Sequence, residues 1–278
     1  MSFDHQPLAK VHFERNQITR ADWEAFAGHR QSVSERLLSA GSGREQPSLC
    51  VLGAGNGNDL DLPLLVEHFQ EITLVDLDRS ALSHCLSTQS EVVARKIKLE
   101  SGVDLSGILD QLDSMRTDSA LIDLAIERMN DQAEEAQTYD VVASTCLLTQ
   151  MIDSVVSSLG ADHPRFVDLV YALRDYHLRL LCRLTRPGGT GLIVTDFVSS
   201  DTLPGLFAVP DQQLTSLLGQ AIASGNFFTG AKPSHLLSRL QTETVTETPL
   251  VETEIHSPWR WRLGSRVFAV CAVSFRKP

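Results

Sequence analysis

Five consecutive residues, Gly53-Ala54-Gly55-Asn56-Gly57, carry the clearest chemical signal in the chain. Glycine at alternate positions strips a turn of side chains, so a ligand can lie directly against backbone N–H groups. An apolar run, Ser48-Leu49-Cys50-Val51-Leu52, precedes the turn, and helical spacing from about Asn58 to His68 follows it. The turn therefore joins a strand to a helix. About 20 residues further on is where a ribose-binding acid belongs in such a unit. There Asp76 closes a second apolar run, Glu71-Ile72-Thr73-Leu74-Val75. A carboxylate at a strand tip can accept hydrogen bonds from both ribose hydroxyls; Asp78 ranks second for that role. The dinucleotide fingerprint G-x-G-x-x-G would need glycine at 58, where this chain has Asn58. No G-x-x-x-x-G-K-[ST] follows, which excludes a P-loop.

Other reactive side chains offer less. Cys50, Cys85, Cys146, Cys182 and Cys271 are odd in number and widely spaced, without a C-x-x-C pair. That argues against a disulfide framework or a zinc site, and no other metal cluster is expected. Cys146 has no identifiable base partner and reads as a buried thiol. A substrate wall can be drawn from Trp23, Phe26, His29 and Arg30, from Asp196-Phe197, and from Phe227-Phe228. Helical spacing makes Trp23 and Phe26 better candidates for core than for pocket. Phe227-Phe228 is the most pocket-like pair, because exposed aromatics in a loop are costly without a contact.

The elements that must position these residues alternate. Residues 16–40 read as a helix capped at Asn16–Thr19. A helix around 80–95 precedes a third strand and loop in Lys96–Leu105. Helical spacing recurs twice across 106–136, Tyr139–Thr145 is a fourth strand, and a long helix lies within 164–184. Arg186-Pro187-Gly188-Gly189 is a tight turn before a fifth strand. Two helices, in 212–222 and 233–240, fill an insertion, and Trp259–Phe275 reads as a hairpin turning at Leu263-Gly264-Ser265. Alternating strands and helices imply a doubly wound α/β fold. The expectation is a seven-stranded, mostly parallel sheet with a C-terminal antiparallel hairpin. Residues 1–47 form a helical N-terminal extension, 48–197 a ligand-binding core, 198–249 a helical insertion or lid and 250–278 the closing hairpin.

The G-x-G-x-G turn, the acid at Asp76, the R-P-G-G turn and the final hairpin together resemble class I S-adenosylmethionine (SAM)-dependent methyltransferases. The resemblance covers roughly residues 48–200 and the last 25 or so. It implies SAM as cofactor and S-adenosylhomocysteine (SAH) as product. The turn from Gly53 through Ala54, Gly55 and Asn56 to Gly57 would hold the amino-acid end, and Asp76, Leu77 and Asp78 the ribose side. Asp104 would accept from the adenine amino group, with Val103 and Leu105 flanking the ring. Ser144 and Thr145 fall in the segment that passes beneath the sulfonium. Gln150, Phe197, Phe227 and Phe228 would face the substrate. Many members carry an acid two residues before the first glycine; here Val51 stands there, as in spermidine synthases and some protein arginine methyltransferases.

No N/D-P-P-[YFW] tetrapeptide follows the fourth strand, which disfavours amino-methylating enzymes of nucleic acids, and the paired glutamates of arginine methyltransferases are also missing there. A formal net charge of −11 repels phosphate backbones and points the same way. The acceptor expected is a small molecule, with a protein side chain second. An aminopropyltransferase would need clustered acids after the fourth strand, and Ser144–Met151 supplies none. A non-catalytic SAM-binding module is the remaining alternative. Hydrophobic content of 42% suffices for a real core, no apolar run approaches a membrane span, and the N-terminus does not read as a secretory signal, so a cytoplasmic location is expected. Acceptor identity and oligomeric state are not encoded in any motif.

Overall fold

Strand residues alternate between two buried faces. In β1 (Ser48–Leu52), Cys50 and Leu52 pack into one apolar cluster, Leu49 and Val51 into another, and all four are buried. A strand reads this way when helices cover both faces of its sheet. In β4 (Tyr139–Thr145) every residue is buried. The computed structural model describes residues 6–130, 137–242 and 250–278.

β1, β2 (Glu71–Asp76), β3 (Ile97–Ser101), β4 and β5 (Thr185–Ser199) run parallel in the order β3-β2-β1-β4-β5. β8 (Arg266–Arg276) then pairs antiparallel with β5. Two short strands, β6 (Val251–Ile255) and β7 (Trp259–Leu263), share the far side of β8, β7 against Arg266–Val270 and β6 against Val273–Arg276. The sheet is therefore mostly parallel with an antiparallel closing hairpin, as expected, but the described residues hold eight strands rather than seven. β6 escapes notice because Val251-Glu252-Thr253-Glu254-Ile255 lies on an exposed edge. Acids there discourage pairing with another chain and erase the apolar alternation that would announce a strand. The strand order reverses between β1 and β4, and such a reversal opens a crevice at the carboxyl ends of the strands.

The helices depart more from expectation. The single helix read over 16–40 is two, α1 (Pro7–Thr19) and α2 (Ala27–Gly41). Asn16 and Thr19 end α1 instead of capping a helix start. The break is set by Arg30, whose guanidinium sits 3.5 Å from the centre of the Trp23 ring and donates to the carbonyls of Trp23 (2.7 Å) and Asn58 (3.1 Å). α3 (Leu62–His68) begins four residues later than expected, because Asp61 caps it by accepting from Leu64 N–H. The helix expected around 80–95 is split into α4 (Arg79–Ser87) and α5 (Glu91–Ala94), with Ser90 capping the second. Residues 106–136 contain α6 (Leu112–Met115) and α7 (Ser119–Asn130); the last of that expectation, 131–136, lies outside the described residues. α8 (Leu147–Leu159) follows β4 directly, and α9 (Phe166–Leu184) leads into β5. The insertion holds a 3-10 turn at Pro204–Phe207, α10 (Asp211–Ala223) and α11 (Pro233–Leu240). Among the described residues, no helix is long and apolar enough to cross a membrane.

The pairing of β5 with β8 rests on one close approach. Gly191 lies opposite Phe275, and a Cβ at Gly191 would fall 2.1 Å from the buried Phe275 ring. The ring occupies the space the glycine leaves, fixing the register of the two strands. Gly191→Ala should therefore overpack this contact and lower the unfolding free energy by about 1–3 kcal/mol, measured by urea denaturation.

Candidate functional site

A cavity of about 60 Å³ opens at the carboxyl ends of β1, β2 and β3. Gly53 and Gly55 form its floor, Asp76 and Leu77 one side, Val103–Ser106 and Leu109 the next. Leu147, Gln150, Met151 and Ser154 from the start of α8 face these, and His12 and Asn16 of α1 close the top.

The floor is shaped by backbone. Gly53, Gly55 and Gly57 have φ of 77°, 49° and 71°, in the left-handed region where a Cβ is strained. At Gly55 a side chain would press against the helix above the turn. The nearest heavy atom to a Cβ built there is Asn16 Oδ1, at 3.1 Å. The N–H of Gly55 donates to Asp76 Oδ2 (2.8 Å), while Asp76 Oδ1 accepts from Asp78 N–H (2.8 Å). Each oxygen retains a second lone pair for a ligand hydroxyl. Burial pushes the Asp76 carboxyl up to about 6, against the lowering effect of its backbone hydrogen bonds.

Asp104 organises its own loop. Its Oδ1 accepts from Ser106 N–H (2.9 Å) and Ser106 Oγ–H (2.6 Å), and its Oδ2 from Leu109 N–H (3.0 Å). The loop is thereby curled so that Val103, Leu105 and Leu109 present apolar surface to the cavity beside one carboxylate oxygen with spare capacity.

Of the residues expected to bind a cofactor, the cavity brings together Gly53, Gly55, Asp76, Leu77, Val103, Asp104 and Leu105. Ala54, Asn56 and Gly57 belong to the turn but do not line it; Asn56 instead donates to the carbonyl of Asn16 (2.6 Å). Asp78 caps α4 by accepting from Ala81 N–H and also accepts from Asn16 Nδ2 (both 3.0 Å). Ser144 and Thr145 are buried inside β4, and Ser144 Oγ pairs with His177 Nε2 at 2.7 Å. Of the expected substrate-facing residues only Gln150 reaches the cavity. Phe197, Phe227 and Phe228 pack with Leu206, Leu214 and Ala231 in the apolar cluster beneath the insertion. Phe228 N–H donates to the Phe197 carbonyl (2.8 Å), which ties the Phe227-Phe228 loop to the end of β5.

Sequence reasoning missed His12, Met151, Ser154 and the role of Asn16. The signal for α8 was present, since Leu148, Met151, Ile152, Val155 and Leu159 recur at helical spacing and are all buried. Nothing in α1 announces a site.

The expected N-terminal wall lies behind the turn. His29 is buried, stacked on Trp261 at 4.5 Å, and its Nδ1 accepts from Trp259 Nε1–H (3.1 Å). Its Nε2, which must then carry the ring proton, lies 3.5 Å from Asp59 Oδ1. Burial, with help from Arg36, pushes the imidazole down to about 3, and burial pushes Asp59 up to about 7. Asp196, whose carboxylate accepts from Thr149 Oγ–H, is pushed up to about 6 by burial. Burial also lifts the Cys146 thiol well above its ordinary range, so it is no nucleophile at neutral pH.

No protein-family model matches the chain, and neither does any curated protein. Among solved structures the chain is similar to the N-methyltransferase NodS from Bradyrhizobium japonicum in complex with SAH, at 12% identity and a TM-score of 0.43, over 99% of this chain and 90% of that one. It is similar to human N-acetylserotonin methyltransferase in complex with SAM, at 16% identity and a TM-score of 0.47, over 95% of this chain and 56% of that one. It is also similar to magnesium protoporphyrin IX methyltransferase from Synechocystis with bound SAH, at 12% identity and a TM-score of 0.46, over 91% and 84%. Likeness at this level assigns neither acceptor nor activity.

The placement of Ser144 separates a structural role from a binding one. His177 is fully buried, its Nδ1 has no hydrogen-bond partner, and burial pushes the ring down to about 4. Ser144→Ala should leave the imidazole without its partner and cost about 1–3 kcal/mol of unfolding free energy. The affinity of the cavity for a small-molecule probe, measured by calorimetry on the same variant, should stay within about twofold, less than a single hydrogen bond contributes.

Proposed function

We propose that the chain is a SAM-dependent methyltransferase acting on a small-molecule acceptor. The observation that carries this reading is the meeting, in one cavity, of the bare backbone at Gly53 and Gly55, the Asp76 carboxylate and the apolar loop closed by Asp104. These residues fit the group. Asp76 offers two oxygens with spare lone pairs to a ribose, and Leu77, Val103, Leu105 and Leu109 offer faces to a purine. With the Asn16 carboxamide displaced, Gly55 would leave room for an aminoacyl chain against the turn.

SAM supplies an activated methyl group on a sulfonium, so the protein need only align an acceptor with it and keep water away. Asp76 would orient the sugar by accepting from its hydroxyls. The Gly53–Gly57 turn would receive the opposite end against bare backbone, the N–H groups of Gly53, Ala54, Gly55 and Gly57 being already bonded to Val75, Asp76 and Ala54. Leu147 packs against Gly53, with its Cβ 2.8 Å from where a glycine side chain would begin, and closes the floor to solvent. Gln150, Ser154 and His12 supply the polar groups on the wall opposite the turn, where an acceptor would enter. Val51 is fully buried in the core and offers no charge to the ligand.

Thermal unfolding gives a direct test. SAH at a hundredfold excess over its Kd should stabilise the protein by about 2.7 kcal/mol. Asp76→Ala should weaken binding by about 2–4 kcal/mol, since two hydrogen bonds to a charged acceptor are lost. An unchanged melting temperature at millimolar SAH, with Asp76→Ala indistinguishable from the parent, overturns the reading. Release of SAH from SAM across a panel of small amines, phenols and carboxylic acids tests catalysis. Binding without turnover on any of them would favour a non-catalytic module.

A pH dependence follows from Asp76. Ribose hydroxyls donate to a carboxylate, so binding requires the ionised form. Below about 6 the ligand-free protein holds the proton, and SAH must displace it. Calorimetry should therefore show affinity constant above this pH and falling about tenfold per unit below it.

A further inference from the structure

The roof of the cavity is made of unusual material. α1 buries only Leu8 and Ala9 fully, packs the half-buried Phe13 against the same apolar cluster, and is joined to both rims by polar bonds. On the α8 side, His12 Nε2 meets Ser154 Oγ at 2.8 Å and Arg15 pairs with Asp153. On the opposite side, Asn16 Nδ2 donates to Asp78 Oδ2 (3.0 Å), Asn56 Nδ2 to the Asn16 carbonyl (2.6 Å) and Asn58 Nδ2 to the Thr19 carbonyl (2.7 Å). Each such bond exchanges readily for a bond to water and holds little net free energy. The space beneath is about 60 Å³, room for a few waters, whereas small-molecule sites span about 300 Å³ or more. Asn16 Oδ1 lies over Gly55, in the place its missing side chain leaves for a ligand.

We propose that α1 is a strap that must lift before the nucleoside ligand enters, with the Asn16 carboxamide acting as an internal plug over Gly55. The inference rests on the SAM-binding reading above. It makes ligand entry a two-step event, opening of α1 followed by binding, with the polar grip setting how often the first step occurs. Residues 20–22, between the end of α1 and the Arg30–Trp23 contact, are the point about which α1 would swing.

Two variants bear on it in opposite directions. Arg15→Ala with Asn16→Ala releases one grip on each rim and removes the plug. Its association rate with SAH, measured by stopped flow, should rise roughly fivefold or more, as expected from losing about one net hydrogen bond. His12→Cys with Ser154→Cys allows α1 to be closed onto α8 by a direct disulfide linker, since the side chains they replace meet at 2.8 Å and the five native cysteines are all buried. The bridged protein should bind SAH at least tenfold more slowly, and reductive cleavage of the linker should restore the rate; that recovery excludes simple misfolding. Equal rates for bridged and cleaved protein, or no acceleration in the double alanine variant, overturn the strap while leaving the binding reading intact. Absence of SAH binding in every form, parent included, overturns both.

Discussion

One buried carboxylate ties the site to the fold. Asp76 ends β2, accepts from Gly55 in the turn after β1, and accepts from Asp78 at the start of α4. Two strand–helix connections are thereby stitched to one side chain, and the glycine turn keeps its shape because an acid holds its N–H. Taking that acid out of water is costly, which is why its proton affinity rises. The structure tolerates this because the group receives several backbone hydrogen bonds. It is placed where a hydroxyl-bearing ligand would complete its coordination.

The rest of the chain can be understood as support for that point. Parallel strands buried on two faces hold the turns rigidly, and the reversal of strand order between β1 and β4 leaves the crevice. The insertion is not a wall of this crevice. Its aromatic pair is spent on a separate apolar cluster that braces the end of β5 against the first half of β8. Beyond Asp76, Asp104 and Ser106, the polar groups of the crevice come from α1 and α8, the two helices that flank its mouth.

Period and punctuation made most of the sheet legible. β1, β2, β4 and the hairpin announce themselves through apolar runs bounded by glycine or acids, and the glycine turn with Asp76 marks one side of the cavity. What remained hidden did so for identifiable reasons. β6 has acids where a strand usually shows alternation. The break between α1 and α2 depends on Arg30 reaching Trp23 and Asn58, contacts between distant residues that no local pattern encodes. Ser144 sits where polar residues often face ligand, yet the fold spends it on His177. His12 and Asn16 were unreadable because α1 touches the site only through tertiary hydrogen bonds.

The five cysteines give the molecule a set of built-in reporters. Cys50 and Cys182 lie in the apolar layer under α8 and α9, Cys85 and Cys146 in the layer under α2, and Cys271 beneath the insertion. All are buried and free, so alkylation must wait for local or global opening. Reaction at each thiol under native conditions thus measures the opening equilibrium of its own layer. A chain with no cysteine lining its cavity carries a map of its own subglobal stability.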